Sequence, residues 1–166
     1  MQQELQNSTL NGEEMIEDTQ TGRYLAFSLG AEAFGVEIRY VTEIIGLQVI
    51  TPLPEVPEYI KGIINLRGKV IPVIDMRLKF GKPSVEYNDR TCIIVLDHQE
   101  MTVGLIVDTV AEVIAIDEEN IVPPPEGADI QNTYLSGIGM VGEEVKLLLD
   151  CDRVLNDEVA LDMREN

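Results

Sequence analysis

The sequence predicts an all-β protein with a few short helices, built as two small barrels from one duplicated unit. Two observations carry that prediction. Short aliphatic and β-branched runs alternate with Gly-rich and polar turns along most of the 166 residues, a spacing that suits strands. The runs also recur. Tyr24-Leu25-Ala26-Phe27 matches Ile93-Ile94-Val95-Leu96 at a shift of 69 positions. The same shift sets Gly35 on Gly104 and Val41-Thr42-Glu43-Ile44-Ile45 on Val110-Ala111-Glu112-Val113-Ile114, a shared V-x-E-[IV]-I. Further along, a shift of 75 sets Gly62-Ile63 on Gly137-Ile138, Val73-Ile74 on Leu148-Leu149 and Asp75 on Asp150. The shift grows because the second copy carries a longer loop, IDEENIVPPPEGADIQNT, whose acids and three prolines read as irregular.

The first copy spans about residues 22–80. Tyr24–Leu29 reads as a strand, GAEA (30–33) as a turn and Phe34–Ile38 as the returning strand. The V-x-E-[IV]-I segment and the hairpin GIINLRGKVIPVID follow. The second copy, about 90–156, repeats the scheme with Cys92–Leu96, the turn DHQE (97–100), Thr102–Val107 and the hairpin GIGMVGEEVKLLLD. About five closely spaced strands per copy suit a small closed barrel, and closure leaves no exposed sheet edge. Asp75 and Asp150 end aliphatic strands just before MRLKF and CDRVL. Each is placed to cap a short helix by accepting a backbone N–H bond. GKPSVEYNDR (81–90) reads as a linker, and both copies together form one domain, 22–156. The tails 1–21 and 157–166 are acidic and poor in large apolar residues, and read as disordered.

Composition narrows the function. Apolar residues make up 45% of the chain, enough for a core, and no run of 18 of them exists to span a membrane. The N-terminus lacks the basic and apolar stretches of a secretory signal, so the sequon Asn7-Ser8-Thr9 carries no weight. Twelve Lys and Arg face 30 Asp and Glu, a net charge of −18 that opposes nucleic-acid binding. Cys92 and Cys151 lie in apolar runs and read as buried free thiols. With one histidine and no close cysteine pair, neither a metal site nor a nucleophile triad is expected, and no cofactor. His98 reads as a solvated turn residue. Gly137-Ile138-Gly139-Met140-Val141-Gly142 spells G-x-G-x-x-G, but it precedes a strand and two glutamates rather than a helix. That excludes a dinucleotide turn.

One position breaks the repeat. Arg67, at the tip of the GIINLRG hairpin, aligns with Gly142, whereas Glu43 keeps a counterpart in Glu112. A solvated turn arginine is the plain reading. The sharper one pairs Arg67 with Glu43, because V-x-E-[IV]-I must pack beside the hairpin if a small barrel closes. A carboxylate would then hold the guanidinium fork ready for a partner.

YLAFSLGAEAFGVEIRYVTEI, YIKGIINLRGKVIPVIDMRLKF, GLIVDTVAEV and YLSGIGMVGEEVKLLLDCDRVL resemble, in order and spacing, the CheW family of chemotaxis coupling proteins. The resemblance runs from about Arg23 to Leu155, and the NLRG tip before VIPVIDMR is its most specific part. It implies two SH3-like five-stranded barrels sharing a core. It also implies a non-enzymatic, cytoplasmic adaptor at the receptor array, linking transmembrane chemoreceptors to the histidine kinase CheA. By that resemblance, Val41, Glu43, Gly62, Asn65, Arg67 and Val113 belong to a receptor-binding groove. Val41 and Val113 would form its apolar trough, and Gly62 would admit close backbone approach. Ile121, Val122 and Gly127 would contact the kinase. The alternatives are the same adaptor in a non-flagellar sensory array and, from another class, a small-ligand-binding or catalytic double barrel.

Overall fold

Burial along each strand accounts for the pattern of the sequence. The computed structural model describes residues 21–127 and 129–156, so the segments read as disordered tails fall outside it apart from Thr21. The first repeat supplies β1 (Arg23–Leu29), β2 (Glu32–Glu37), β3 (Val41–Gly46), β4 (Ile60–Leu66) and β5 (Lys69–Asp75), then a one-turn helix, Met76–Lys79. The second supplies β6 (Cys92–His98), β7 (Met101–Val107), β8 (Thr109–Ala115), β9 (Ile121–Val122), β10 (Leu135–Val141) and β11 (Glu144–Leu149), with short helices Ile130–Thr133 and Cys151–Leu155. The two caps form. Asp75 accepts from the N–H groups of Arg77 at 2.9 Å and Leu78 at 3.2 Å, and Asp150 from that of Arg153 at 3.2 Å.

The fold is all-β in two sheets, yet neither repeat pairs only with itself. Sheet I runs β8-β1-β2-β11-β10-β9 and sheet II runs β3-β6-β7-β5-β4. Each sheet therefore takes its first hairpin from the opposite repeat. The chain crosses from sheet I to sheet II through the 3-10 turn Ile38–Tyr40, and returns through the single residue Asp108 between β7 and β8. The bounds 22–80 and 90–156 thus delimit sequence repeats, and the sheets run across them.

The register repeats along with the sequence. β2 lies parallel to β11 with Gly35 opposite Leu148, and β7 lies parallel to β5 with Gly104 opposite Val73. A Cβ on Gly104 would stand 2.7 Å from the Ile93 side chain and 2.9 Å from that of Val73. On Gly35 it would stand 3.0 Å from Leu148 and 3.2 Å from Tyr24. These two glycines let the exchanged hairpins settle against the neighbouring strands.

Three apolar clusters result. The largest joins Leu25, Phe27, Leu29, Phe34 and Val36 of sheet I to Ile94, Leu96, Val103, Leu105 and Val107 of sheet II. Inside sheet II lie Ile64, Ile71, Val73, Ile93, Val95 and Ile106, and inside sheet I lie Tyr24, Ile116 and Leu148. Alternate residues of β6 thus face two different cores. That is why Ile93-Ile94-Val95-Leu96 is apolar without alternation.

Several expectations are corrected. Sheet I has six strands rather than five, because Ile121-Val122 in the proline loop pairs with β10. Gly137 makes this possible, since a Cβ there would meet the Ile121 side chain at 2.8 Å. Gly139 similarly makes room for Ile116, and Gly142 turns the hairpin at φ +63°, so the G-x-G-x-x-G string is strand packing. His98 is not a solvated turn residue. Strand β6 continues through it, pairing it with Met101, and the turn is Gln99-Glu100. Its ring meets the Asp152 carboxylate and lies edge-on to Tyr40, with centroids 4.4 Å apart. The linker is also more than a spacer. Tyr87 packs on the sheet II cluster and donates to Asp75 at 2.6 Å. Both cysteines are free, Cys151 buried and Cys92 half-buried, and burial pushes the Cys151 thiol up to about 12.

Asp108 ties the crossing together. Its carboxylate accepts from Arg77 Nε at 2.8 Å and from the Gly30 N–H at 2.8 Å, and its own N–H reaches the Ser28 carbonyl at 3.2 Å. The Arg77 guanidinium holds this carboxyl below the usual aspartate range, against the opposing effect of burial. Its charged form therefore adds stability that is full above pH about 4 and is lost as the pH falls through the depressed value. Asp108→Asn should cost roughly 1–3 kcal/mol at neutral pH. In urea titrations it should flatten the acid limb of stability, and an unchanged acid limb would remove Asp108 as the crossing node. Gly104→Ala should cost about 1–3 kcal/mol by overpacking the seam, read as a lower urea midpoint at constant slope.

Candidate functional site

The hairpin joining β4 and β5 turns on two residues, Arg67 and Gly68, because Leu66 pairs with Lys69 across it. Both take positive φ, +53° and +84°. Positive φ at both central residues is the pattern of the type I′ turn, whose twist matches the strands it joins. Glycine adopts it freely, but an arginine does so against its own Cβ. The Asn65 side chain braces the turn by accepting from the Gly68 N–H at 2.9 Å.

Arg67 meets Glu43. Its Nη1 donates to Glu43 Oε1 at 3.2 Å and its Nη2 pairs closely with Oε2, a two-pronged contact that raises the guanidinium pKa. Glu43 lies on β3, the first strand of sheet II, while Arg67 tips the hairpin that ends the sheet. The pair therefore links the two ends of the sheet at the surface. It lies open to solvent on the arginine side, with side-chain exposures of 71% for Arg67 and 28% for Glu43. Among the described residues the other barrel has no such clasp, since Gly142 stands where Arg67 would and Glu112 is exposed.

The remaining predicted residues divide. Val41 is half-buried against the shared core, beside a bulge of β3 on β6 at which the Thr42 hydroxyl donates to the Val95 carbonyl at 3.2 Å. Gly62 does admit a close backbone, but one from this chain. The Thr51 carbonyl lies 2.0 Å from where a Cβ would be, at a φ of +144°, and Thr51 bridges Ile63 through two bonds of 2.9 Å. Val113 sits on β8, the first strand of sheet I, and is 47% exposed. Its repeat equivalent Ile44 is also exposed, and so are Leu47 and Val49 after β3 and Val70 in the Arg67 hairpin. Sequence reading missed these, although the equivalence of Ile44 with Val113 was a signal for the first of them. Ile121 and Val122 form β9, the end strand of sheet I, and Gly127 lies beyond it in the proline loop. Ile121 packs on the inner cluster, whereas Val122 and Gly127 are exposed.

Charge differs sharply between equivalent tips. The first repeat presents Arg67 and Lys69, and the second presents Glu143 and Glu144. Residues 22–80 hold seven basic and six acidic side chains, while residues 90–156 hold three and thirteen. Among the described residues no group of three or more metal-ligating side chains converges.

The family model for the CheW-like domain matches residues 23–159. The chain belongs to the CheW-like family. It is 40% identical over 136 residues to the chemotaxis protein CheW of Klebsiella aerogenes, covering 81% of this chain and 82% of that one. It is 35% identical over 147 residues to the chemotaxis protein CheW of Bacillus subtilis, covering 87% and 94%. Among solved structures, the scaffolding protein TtCheW of Thermoanaerobacter tengcongensis superposes with a TM-score of 0.74 at 40% identity, covering 78% of this chain and 88% of that one. The two-barrel arrangement is thus the CheW fold, and the Arg67 clasp is a feature of its sheet II barrel.

Because the clasp is largely exposed, it contributes little to folding. Arg67→Ala should leave the melting temperature nearly unchanged in a calorimetric scan. A large drop would make Arg67 part of the framework rather than of a surface.

Proposed function

We propose that the protein is a non-enzymatic adaptor that couples transmembrane chemoreceptors to the histidine kinase CheA, bringing kinase activity under receptor control. The observation that carries this reading is the Arg67–Glu43 clasp. It holds an arginine in an unfavourable backbone conformation, on an exposed tip, at a position where the other repeat has glycine. A family whose curated relatives are named for chemotaxis, and one of whose solved members is titled a scaffolding protein, supports it.

In this reading the receptor docks at a groove that includes Val41, Glu43, Gly62, Asn65, Arg67 and Val113. The clasp sets its polarity, and the aliphatic side chains around it receive an apolar helical tip. The kinase docks at the β9 end, at Ile121, Val122 and Gly127. Neither contact calls for metal, cofactor or nucleic acid. No described helix is long and apolar enough to cross a membrane. In this reading the protein reaches the receptor array from the cytoplasm by docking.

The test is a kinase assay with receptor-bearing membranes and CheA, with and without the protein. Wild type should confer receptor control, and Arg67→Ala should lose it while its circular dichroism stays unchanged. Failure of well-folded wild type with cognate partners would sink the adaptor reading. Full activity of the variant would move the receptor groove away from the clasp.

A further inference from the structure

Tyr59 and Tyr134 stand at equivalent positions of the two repeats, 75 residues apart. The same backbone bond fixes each of them. The Tyr59 carbonyl accepts from the Asp75 N–H at 2.7 Å, and the Tyr134 carbonyl from the Asp150 N–H at 2.8 Å. Tyr59 immediately precedes β4 of sheet II, and Tyr134 immediately precedes β10 of sheet I. Between their rings lies the Lys79 ammonium, 4.2 Å from the Tyr59 centroid and 4.7 Å from that of Tyr134.

Lys79 is only 4% exposed, an uncommon state for a lysine. The equivalent residue of the second repeat is Val154, a buried aliphatic. One cation thus serves a matched pair of rings, and the repeat loses its symmetry there. From Tyr134 the rings continue through Phe80 at 6.0 Å to Phe34 at 5.4 Å and on to Phe27 at 5.4 Å, deep in the strands of sheet I. Apolar burial by itself is non-directional. A cation drawn to two ring faces restrains the position of both relative to itself.

We propose that Lys79 is a positioning residue: held between Tyr59 and Tyr134, its ammonium sets the orientation of sheet I against sheet II. Through that orientation it sets the spacing between the Arg67 hairpin on one sheet and the β9 end on the other. The functional consequence rests on the adaptor reading, whereas the orientation itself does not.

The test places spin labels on the full chain at Asp97→Cys in sheet II and Glu144→Cys in sheet I, both exposed, with Cys92→Ser and the buried Cys151 left in place. Pulsed electron resonance then reads the distance between the sheets. Lys79→Met keeps the length of the side chain and removes its charge. It should shift or broaden the distribution while circular dichroism stays unchanged. Tyr59→Phe, which keeps the ring, should retain the wild-type distribution, and Tyr59→Leu should lose it. An unchanged distribution in folded Lys79→Met overturns the proposal. If that variant does not fold, Tyr59→Leu decides by the same readout. If neither folds, the cluster is core packing alone and the positioning role is overturned. In the kinase assay, a displaced distribution with full receptor control overturns the functional consequence. Absence of control with wild type defeats the adaptor reading, while the distance result still stands.

Discussion

The rest of the structure depends on the parallel contact between β2 and β11 and on its twin between β7 and β5. A hairpin of one repeat meets the strands of the other there, and every later feature follows from the exchange. It places β1 and β6 between two apolar layers. It brings ten strands of one duplicated unit around a shared core. It also leaves each barrel with a seam made of chain from both halves of the sequence. The glycines at the two seams are the local condition for it, because the neighbouring side chains already fill the space that a Cβ would take.

Upon this near-symmetric backbone the side chains are asymmetric. Arg67 faces Gly142, Lys69 faces Glu144, Lys79 faces Val154, and Arg77 faces Asp152 across the repeat. Even the two crossings differ, with Asp108 in one and Arg39 at the equivalent place in the other. The duplication thus supplies two similar platforms, and substitution makes one nearly neutral and clasped, the other acidic and open. A single duplicated fold thus presents two unlike faces.

Much of this was legible from residues alone. The repeats, the strand runs, the helix caps at Asp75 and Asp150 and the pairing of Arg67 with Glu43 all follow from local pattern and from the need to close a small barrel. The exchange of hairpins was not legible, for a physical reason. The first hairpins of the two repeats present the same apolar runs and the same glycine, so either could fill either place. Both repeats change sheet after their first hairpin, through Ile38–Tyr40 in one and Asp108 in the other. The placements of Tyr87 and His98 were hidden for another reason. Their partners lie in distant segments, and polar neighbours in sequence masked a buried setting. The short strand β9 was masked by the prolines beside it, although the glycines that receive it stand in plain view in β10. Of the candidate site, the clasp was readable and its exposed aliphatic surround was not, because exposure depends on which strands end a sheet.

The exchanged hairpin has a consequence for how the chain is made. Strands β1 and β2 leave the ribosome well before their neighbours β8 and β11, which lie at 109–115 and 144–149. At ordinary elongation speeds the interval is on the order of ten seconds. Throughout it, the first hairpin of the first repeat has no sheet to join and no core to cover it. The first repeat therefore cannot act as a template completed before the second arrives. The fold closes late and cooperatively through long-range contacts, a topology associated with slow folding and with exposure to aggregation along the way. Duplication with exchange thus ties two barrels into one inseparable unit, and the tie is made only once β11 has been synthesised.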